Sequence, residues 1–353
     1  MLNNLIFKLK SKSIKSILYL LILYVTSILG FGKFLLVAYF QLPESYGMFI
    51  LLIGVIILIG SFISVGEIEK TIKEYPTNWI TKQFDLINES ISRLLLLMFL
   101  RALLVIFIYV IYAYIMEQEV NLIILTAAFF IMFNHSVNPI FTSLFRSSSS
   151  LSFFAYSQLA RTLLSIIILT VAAYNYSWEG LLVAEALSSI LIFPIYLFFI
   201  NRQFSEEKIK FKIAFKIEKE IFINIFKPSS ISGLYLYLSI MMISIPLYLD
   251  KFIIGEFKGP ELVGVYGVSF LIVQIGVLIN NVLSQKAGPD FIKNKINNRK
   301  VNLIRQLINW ISVGIVMQLF ICVLVLLVLE SGLIQYYLPK YNISFDILLV
   351  ACL

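Results

Sequence analysis

One histidine in 353 residues leaves little room for a histidine-based catalytic centre or a zinc site. Two cysteines, Cys322 and Cys352, sit in apolar stretches without metal-ligand spacing, so they read as packing residues and say nothing of redox compartment. Charge is scarce: Asp, Glu, Lys and Arg make up 14% of the chain, against about 25% in a soluble domain. There is no G-x-x-x-x-G-K-[ST] phosphate loop, so ATP is not expected to drive this chain directly, and no G-x-S-x-G elbow. No enzyme constellation, metal or cofactor is expected. A cleavable leader is not expected either. The first apolar run, from about Ile17 to Phe40, is too long for a signal-peptide core and lacks a small-residue cleavage pattern.

What the chain does hold is apolar surface. Hydrophobic residues make up 60%, including 30 Phe and 19 Tyr. That composition calls for an all-α polytopic membrane protein. A span needs about 20 mostly apolar residues. Nine complete spans are expected near 17–40, 46–66, 95–115, 121–145, 152–173, 178–200, 228–249, 261–284 and 307–329. A tenth begins near Ser344 and stops at Leu353; ten helical residues rise only about 15 Å, half the hydrocarbon core. The expected organisation is a two-lobed bundle of six-helix halves. Residues 1–200 form the first lobe, 201–227 a basic cytoplasmic linker, and 228–353 a second lobe cut short.

Basic residues set the orientation. With the N-terminus in the cytoplasm and alternating spans, the inner segments carry 22 of the 28 Lys and Arg. The outer segments carry Lys251, Lys258 and Lys340, while Lys33, Arg101 and Arg161 lie within spans. The excess of +8 thus faces the anionic cytoplasmic leaflet rather than nucleic acid. Within the linker, Ile209-Lys210-Phe211-Lys212-Ile213 alternates apolar and basic residues, which fits either a strand-like interfacial segment or a solvated connection.

Two stretches copy each other. Lys33-Phe34-Leu35-Leu36 precedes Pro43-Glu44-Ser45-Tyr46-Gly47-Met48-Phe49, and Lys251-Phe252-Ile253-Ile254 precedes Pro260-Glu261-Leu262-Val263-Gly264-Val265-Tyr266. Both read K-F-[LI]-[LI], then P-E-x-x-G-x-aromatic: the exit of one long helix, a turn, and the entry of the next. A duplicated hairpin suggests two homologous halves with a substrate site between them.

Ionisable groups inside spans are costly and mark candidate sites. Lys33 and Lys251 occupy equivalent places; they either face a cavity and bind phosphate, or snorkel to the outer interface. Asp250 would tune or compete for Lys251. Arg161, ten residues into the fifth span, is too deep to snorkel, and a diphosphate is its natural partner. Arg146 attracts an anionic head group at the inner mouth or marks a helix end. Arg101 reads as an interfacial anchor. Glu185 is a coupling carboxyl, a neutral carboxyl, or a partner of Arg161. The run Asn134-His135-Ser136-Val137-Asn138-Pro139 reads either as a broken helix lining a wet pathway or as interhelical hydrogen bonding. Asn280 and Asn281 read as cap or interface residues.

The chain resembles the oligosaccharide flippases of the multidrug/oligosaccharidyl-lipid/polysaccharide exporter superfamily, which include the O-antigen repeat-unit flippases. The resemblance rests on L-P-E-S-Y-G-M-F at 42–49, on Y-L-D-K-F-I-I-G-E-F at 248–257, and on G-P-E-L-V-G-V-Y-G-V at 259–268. It implies alternating access and an undecaprenyl-diphosphate-linked sugar unit moved from the cytoplasmic to the outer face of the bacterial inner membrane. It also implies a surface-polysaccharide or lipopolysaccharide pathway, with a polymerase and a chain-length regulator as potential partners. Lys33, Lys251, Arg161 and Arg146 are the positions that would take the diphosphate. Family members carry twelve or more helices, so this chain is expected to be a fragment or a broken reading frame. A multidrug exporter of the same superfamily is the nearest alternative, although it would favour acidic cavity residues. A membrane polymerase or glycosyltransferase would need a larger outer loop domain.

Overall fold

The computed structural model describes residues 2–147 (except 65), 152–213, 231–271 and 331–341, with isolated positions between 274 and 323. Among the described residues the chain is helical, without strands. The helices are α1 (Leu2–Phe40), α2 (Pro43–Ser64), α3 (Glu67–Ile80), α4 (Phe84–Ile115), α5 (Leu122–Ser147), α6 (Ser152–Asn175) and α7 (Trp178–Glu206). Then come α8 (Ile231–Lys258), α9 (Pro260–Leu271) and the short α10 (Leu333–Tyr337). Six of them, α1, α2 and α4 to α7, are long and apolar enough to cross a membrane. Helix α8, with 28 residues, is about 42 Å long; it overlaps the seventh expected span, 228–249, and continues through 250–258, where an outer connection is expected. Cys322, Cys352, Asn280, Asn281, most of the ninth span and the start of the tenth lie outside the described residues.

Why these helices form is legible locally. Each apolar run is bounded by turn chemistry. Pro43 and Pro260 open α2 and α9, where a missing N–H leaves no bond unmade. The Asn121 side chain accepts from the Ile123 amide at 3.0 Å and caps α5. Gly66, at φ 80°, takes the left-handed turn into α3 that a side chain would disfavour. Large apolar side chains stand exposed along the helices: Phe107, Ile108 and Ile111 on α4, Ile167 and Val171 on α6. A surface of this kind belongs against lipid.

The stretch between the second and third spans is not a loop. Helix α3 lies there, with Glu67, Thr71, Tyr75 and Trp79 buried at every fourth position and Lys73 and Thr77 outward. Helix α4 starts at Phe84, well before the expected position 95. Trp79, Phe84 and Phe204 meet edge to face, and Phe211 closes on Phe204. Burial inside this group raises the Tyr75 phenol well above its usual range. The alternating stretch at 209–213 is extended: Ile209, Phe211 and Ile213 pack on the core, and Lys210 and Lys212 point outward. Helix α7 continues to Glu206, so the first half's packing runs past position 200.

The first half is built from the pairs α1/α6, α6/α7, α5/α7 and α2/α5. The Gln41 amide donates to Ala173 O and Tyr176 O at 2.7 Å, fastening the α1–α2 turn to the α6–α7 turn. Helix α8 packs on α2 and α3. The duplicated turns also touch each other. A Cβ on Gly47 would run into the carbonyl of Pro260, and a Cβ on Gly264 would run into the carbonyl of Pro43. The contact is reciprocal: each glycine clears the first residue of the other copy's helix.

Candidate substrate site

Lys33 stands seven residues before the end of α1, and Lys251 stands seven residues before the end of α8. The repeat therefore holds in helical register. Their surroundings differ. Lys33 donates to Ser165 Oγ at 2.9 Å and approaches the Glu185 carboxylate oxygens at 3.3 and 3.4 Å. It also lies over the Phe34 ring, at 4.7 Å from the centroid. The side chains of Lys33 and Glu185 are only 13% and 16% exposed, so the Lys33 ammonium is held inside the bundle. A partner carboxylate within reach holds the lysine where it is. Lys251 instead rests over Phe270 and Tyr248, 4.2 and 5.4 Å from the centroids. Asp250 accepts from the Tyr266 hydroxyl and from the Lys251 amide.

A cavity of about 180 Å³ opens beside Lys33, between α1, α5, α6 and α7. Gly30 and Lys33 contribute from α1, and Asn134 from α5. Arg161, Thr162 and Ser165 contribute from α6, and Glu185 and Ser188 from α7. Four of the expected site residues thus meet: Lys33, Arg161, Glu185 and Asn134. Lys251 and Asp250 stand apart in the second half, and Arg146 near the other end of α5. There Arg146 bonds Thr142 O at 3.2 Å and lies over the Phe154 ring. This cavity lies among α1, α5, α6 and α7.

The polar run on α5 does not break its helix. Pro139 sits inside a continuous α5, and the side chains bond to neighbouring helices. Asn134 donates to Ser189 at 3.2 Å, and Ser136 donates to Gly60 O at 2.9 Å. His135 Nε2 lies 3.1 Å from the Ser61 hydroxyl. Tyr196 donates to Asn138. These interhelical bonds answer the polar groups that a kink would otherwise have left open. Arg161 lines the cavity from α6. Measured along the helices from the short turns, Lys33 and Glu185 lie about 10 Å down, Arg161 about 21 Å and Tyr196 about 27 Å. The result is a polar column through the apolar half.

Two further expectations change. Glu185 pairs with Lys33, not with Arg161. Arg101 is not an interfacial anchor: it is 4% exposed, faces Glu67 at 3.9 Å and donates to Ile63 O at 2.9 Å. Its guanidinium fastens α3 and the end of α2 to α4. Sequence reasoning passed over Ser165, Ser188, Ser189, Gln158 and Tyr196. Their signal was spacing. Gln158, Arg161, Thr162 and Ser165 fall on one face of α6, and Glu185, Ser188, Ser189 and Tyr196 on one face of α7.

No sequence-family model matches the chain, and no curated protein sequence matches it. Solved structures do. An outward-facing multidrug resistance MATE family transporter of the MOP superfamily superposes with a TM-score of 0.58 at 15% identity, over 95% of this chain and 77% of that one. An inward-facing structure under the same description gives 0.53 at 16% identity, over 93% and 75%. A MATE crystal structure in the straight conformation gives 0.56 at 15% identity, over 95% and 77%. The fold is that of these transporters.

Proposed function

We propose that this chain belongs to an alternating-access transporter for an anionic, diphosphate-bearing lipid-linked oligosaccharide. One observation carries the reading: the cavity lining sets two cations, Lys33 and Arg161, against one carboxylate, Glu185. In the membrane interior an excess positive charge calls for an anionic partner. Guanidinium and ammonium together suit phosphate oxygens, the first as a fork and the second as a point charge. The cavity is smaller than the roughly 300–1,000 Å³ of ordinary ligand pockets, so it fits the charged group and leaves sugar and lipid outside. Lys251 and Arg146 would meet the substrate at other stages, and the Asn134–Asn138 face with His135 would line the polar path. In this reading the chain works in a bacterial cytoplasmic membrane, N-terminus inside, and supplies units for a surface polysaccharide.

A second reading has its own support. The structural neighbours are described as multidrug transporters, and Glu185 offers a carboxylate to a cationic drug. The charge balance of the lining favours the first.

The test is deletion of the locus in the source cell, following surface polymer and the sidedness of lipid-linked sugar units. Loss of polymer with units held on the cytoplasmic face supports the flippase. Intact polymer with new drug sensitivity transfers the assignment to the multidrug exporter.

A further inference from the structure

We propose that Glu185 is a built-in counter-ion that occupies Lys33 until a multiply charged anion replaces it, and that only such an anion gains by its release. The inference rests on the anionic-substrate reading above and deepens it.

The geometry supplies the reasons. Glu185 approaches Lys33 at 3.3 and 3.4 Å, longer than the roughly 2.7–2.9 Å of a strong charge-assisted bond. Ser165 takes the better contact, 2.9 Å from the same ammonium, and its hydroxyl lies 3.5 Å from the Glu185 carboxylate. The carboxylate is thus loosely seated, with a hydroxyl beside it that can keep it solvated after it leaves Lys33. Arg161 faces the same cavity and repels Lys33. The Tyr196 hydroxyl already donates to Asn138.

Charge counting then separates ligands. While Glu185 holds Lys33, the lining offers one net positive charge. A monoanion such as acetate can answer Arg161, but it gains little by displacing Glu185, because it only exchanges one carboxylate for another. A phosphate or diphosphate carries enough charge to engage both cations, and only such a ligand gains by releasing Glu185. The two cations together favour a multiply charged oxyanion, and the competitor inside the site is released only by such a ligand.

The experiment uses the whole chain in lipid nanodiscs, with inorganic diphosphate and acetate as probes and calorimetric affinities as the readout. Glu185→Gln should bind diphosphate about tenfold tighter than the parent, while acetate, which answers Arg161 in both proteins, changes by a smaller factor, so that the diphosphate-to-acetate ratio rises. Arg161→Gln should lose both. A folded Glu185→Gln protein with unchanged or weaker diphosphate binding, or an unchanged ratio, overturns the counter-ion role while leaving the anion site standing. Absence of diphosphate binding in parent and variant alike overturns the anionic-substrate reading and this inference with it. If Glu185→Gln does not fold, Glu185→Asp, one methylene shorter and withdrawn from Lys33, must shift affinity the same way. Failure of both to fold marks the pair as structural and ends the proposal.

Discussion

Lys33 of α1 and Glu185 of α7 form an ion pair at 3.3 Å, bridged by Ser165 of α6. Three helices are thus joined at one point in an apolar bundle. Lys33→Met should strand a buried carboxylate and cost about 3–5 kcal/mol, whereas Lys33→Met with Glu185→Gln should recover most of it. Thermal unfolding of the purified protein in detergent, run as a double-mutant cycle, measures the coupling. Additive losses would show that the pair contributes nothing beyond its parts.

Arg101 and Glu67 make the second buried pair, and here the consequence is positional. Arg101→Ala should release α3 from α4, with a loss of about 3–5 kcal/mol. Hydrogen exchange over residues 67–80 should rise selectively. Arg101→Lys should rescue only in part, because an ammonium cannot serve Glu67 and the Ile63 carbonyl with a planar fork.

Gly47 and Gly264 should each resist alanine. The added methyl meets a backbone carbonyl, which cannot rotate away, so each substitution should cost about 1–3 kcal/mol by overpacking. Gly32→Ala is the control. Nothing lies within 4 Å of its Cβ, and alanine in a helix interior should be neutral or stabilising by up to about 1 kcal/mol. Equal midpoints for all three variants would remove the interlock.

Orientation can be read by labelling. In a background with Cys322 and Cys352 replaced by serine, Leu42→Cys and Tyr176→Cys should react with an impermeant maleimide on intact cells. Lys82→Cys and Lys208→Cys should react only after permeabilisation. All four positions are exposed. The reverse pattern would invert the orientation derived from basic residues.

The repeat and the helical class were legible in the sequence because both are written in local terms: apolar run length, and Pro-Glu-x-x-Gly at two turns. The meeting of Lys33 with Glu185 was not, since it depends on which faces of α1, α6 and α7 turn together over 152 residues of separation. Depth alone could not place Arg101. It lies close to the expected span start at 95, where lysine or arginine usually snorkels, yet α4 begins at Phe84, which puts Arg101 in mid-helix, facing Glu67 on the unforeseen α3. The α5 asparagines were visible as polar, but their partners, Ser189 and Tyr196, come from α7, and that pairing kept the helix whole.

The reciprocal glycine contact bears on how the two copies age. Each position is the clearance for the other copy's backbone, so neither can drift to a larger residue while its counterpart stays fixed. The turn is thus the place where the two stretches physically confine one another, and Pro43–Gly47 and Pro260–Gly264 act as a single joint written at two distant points of the chain.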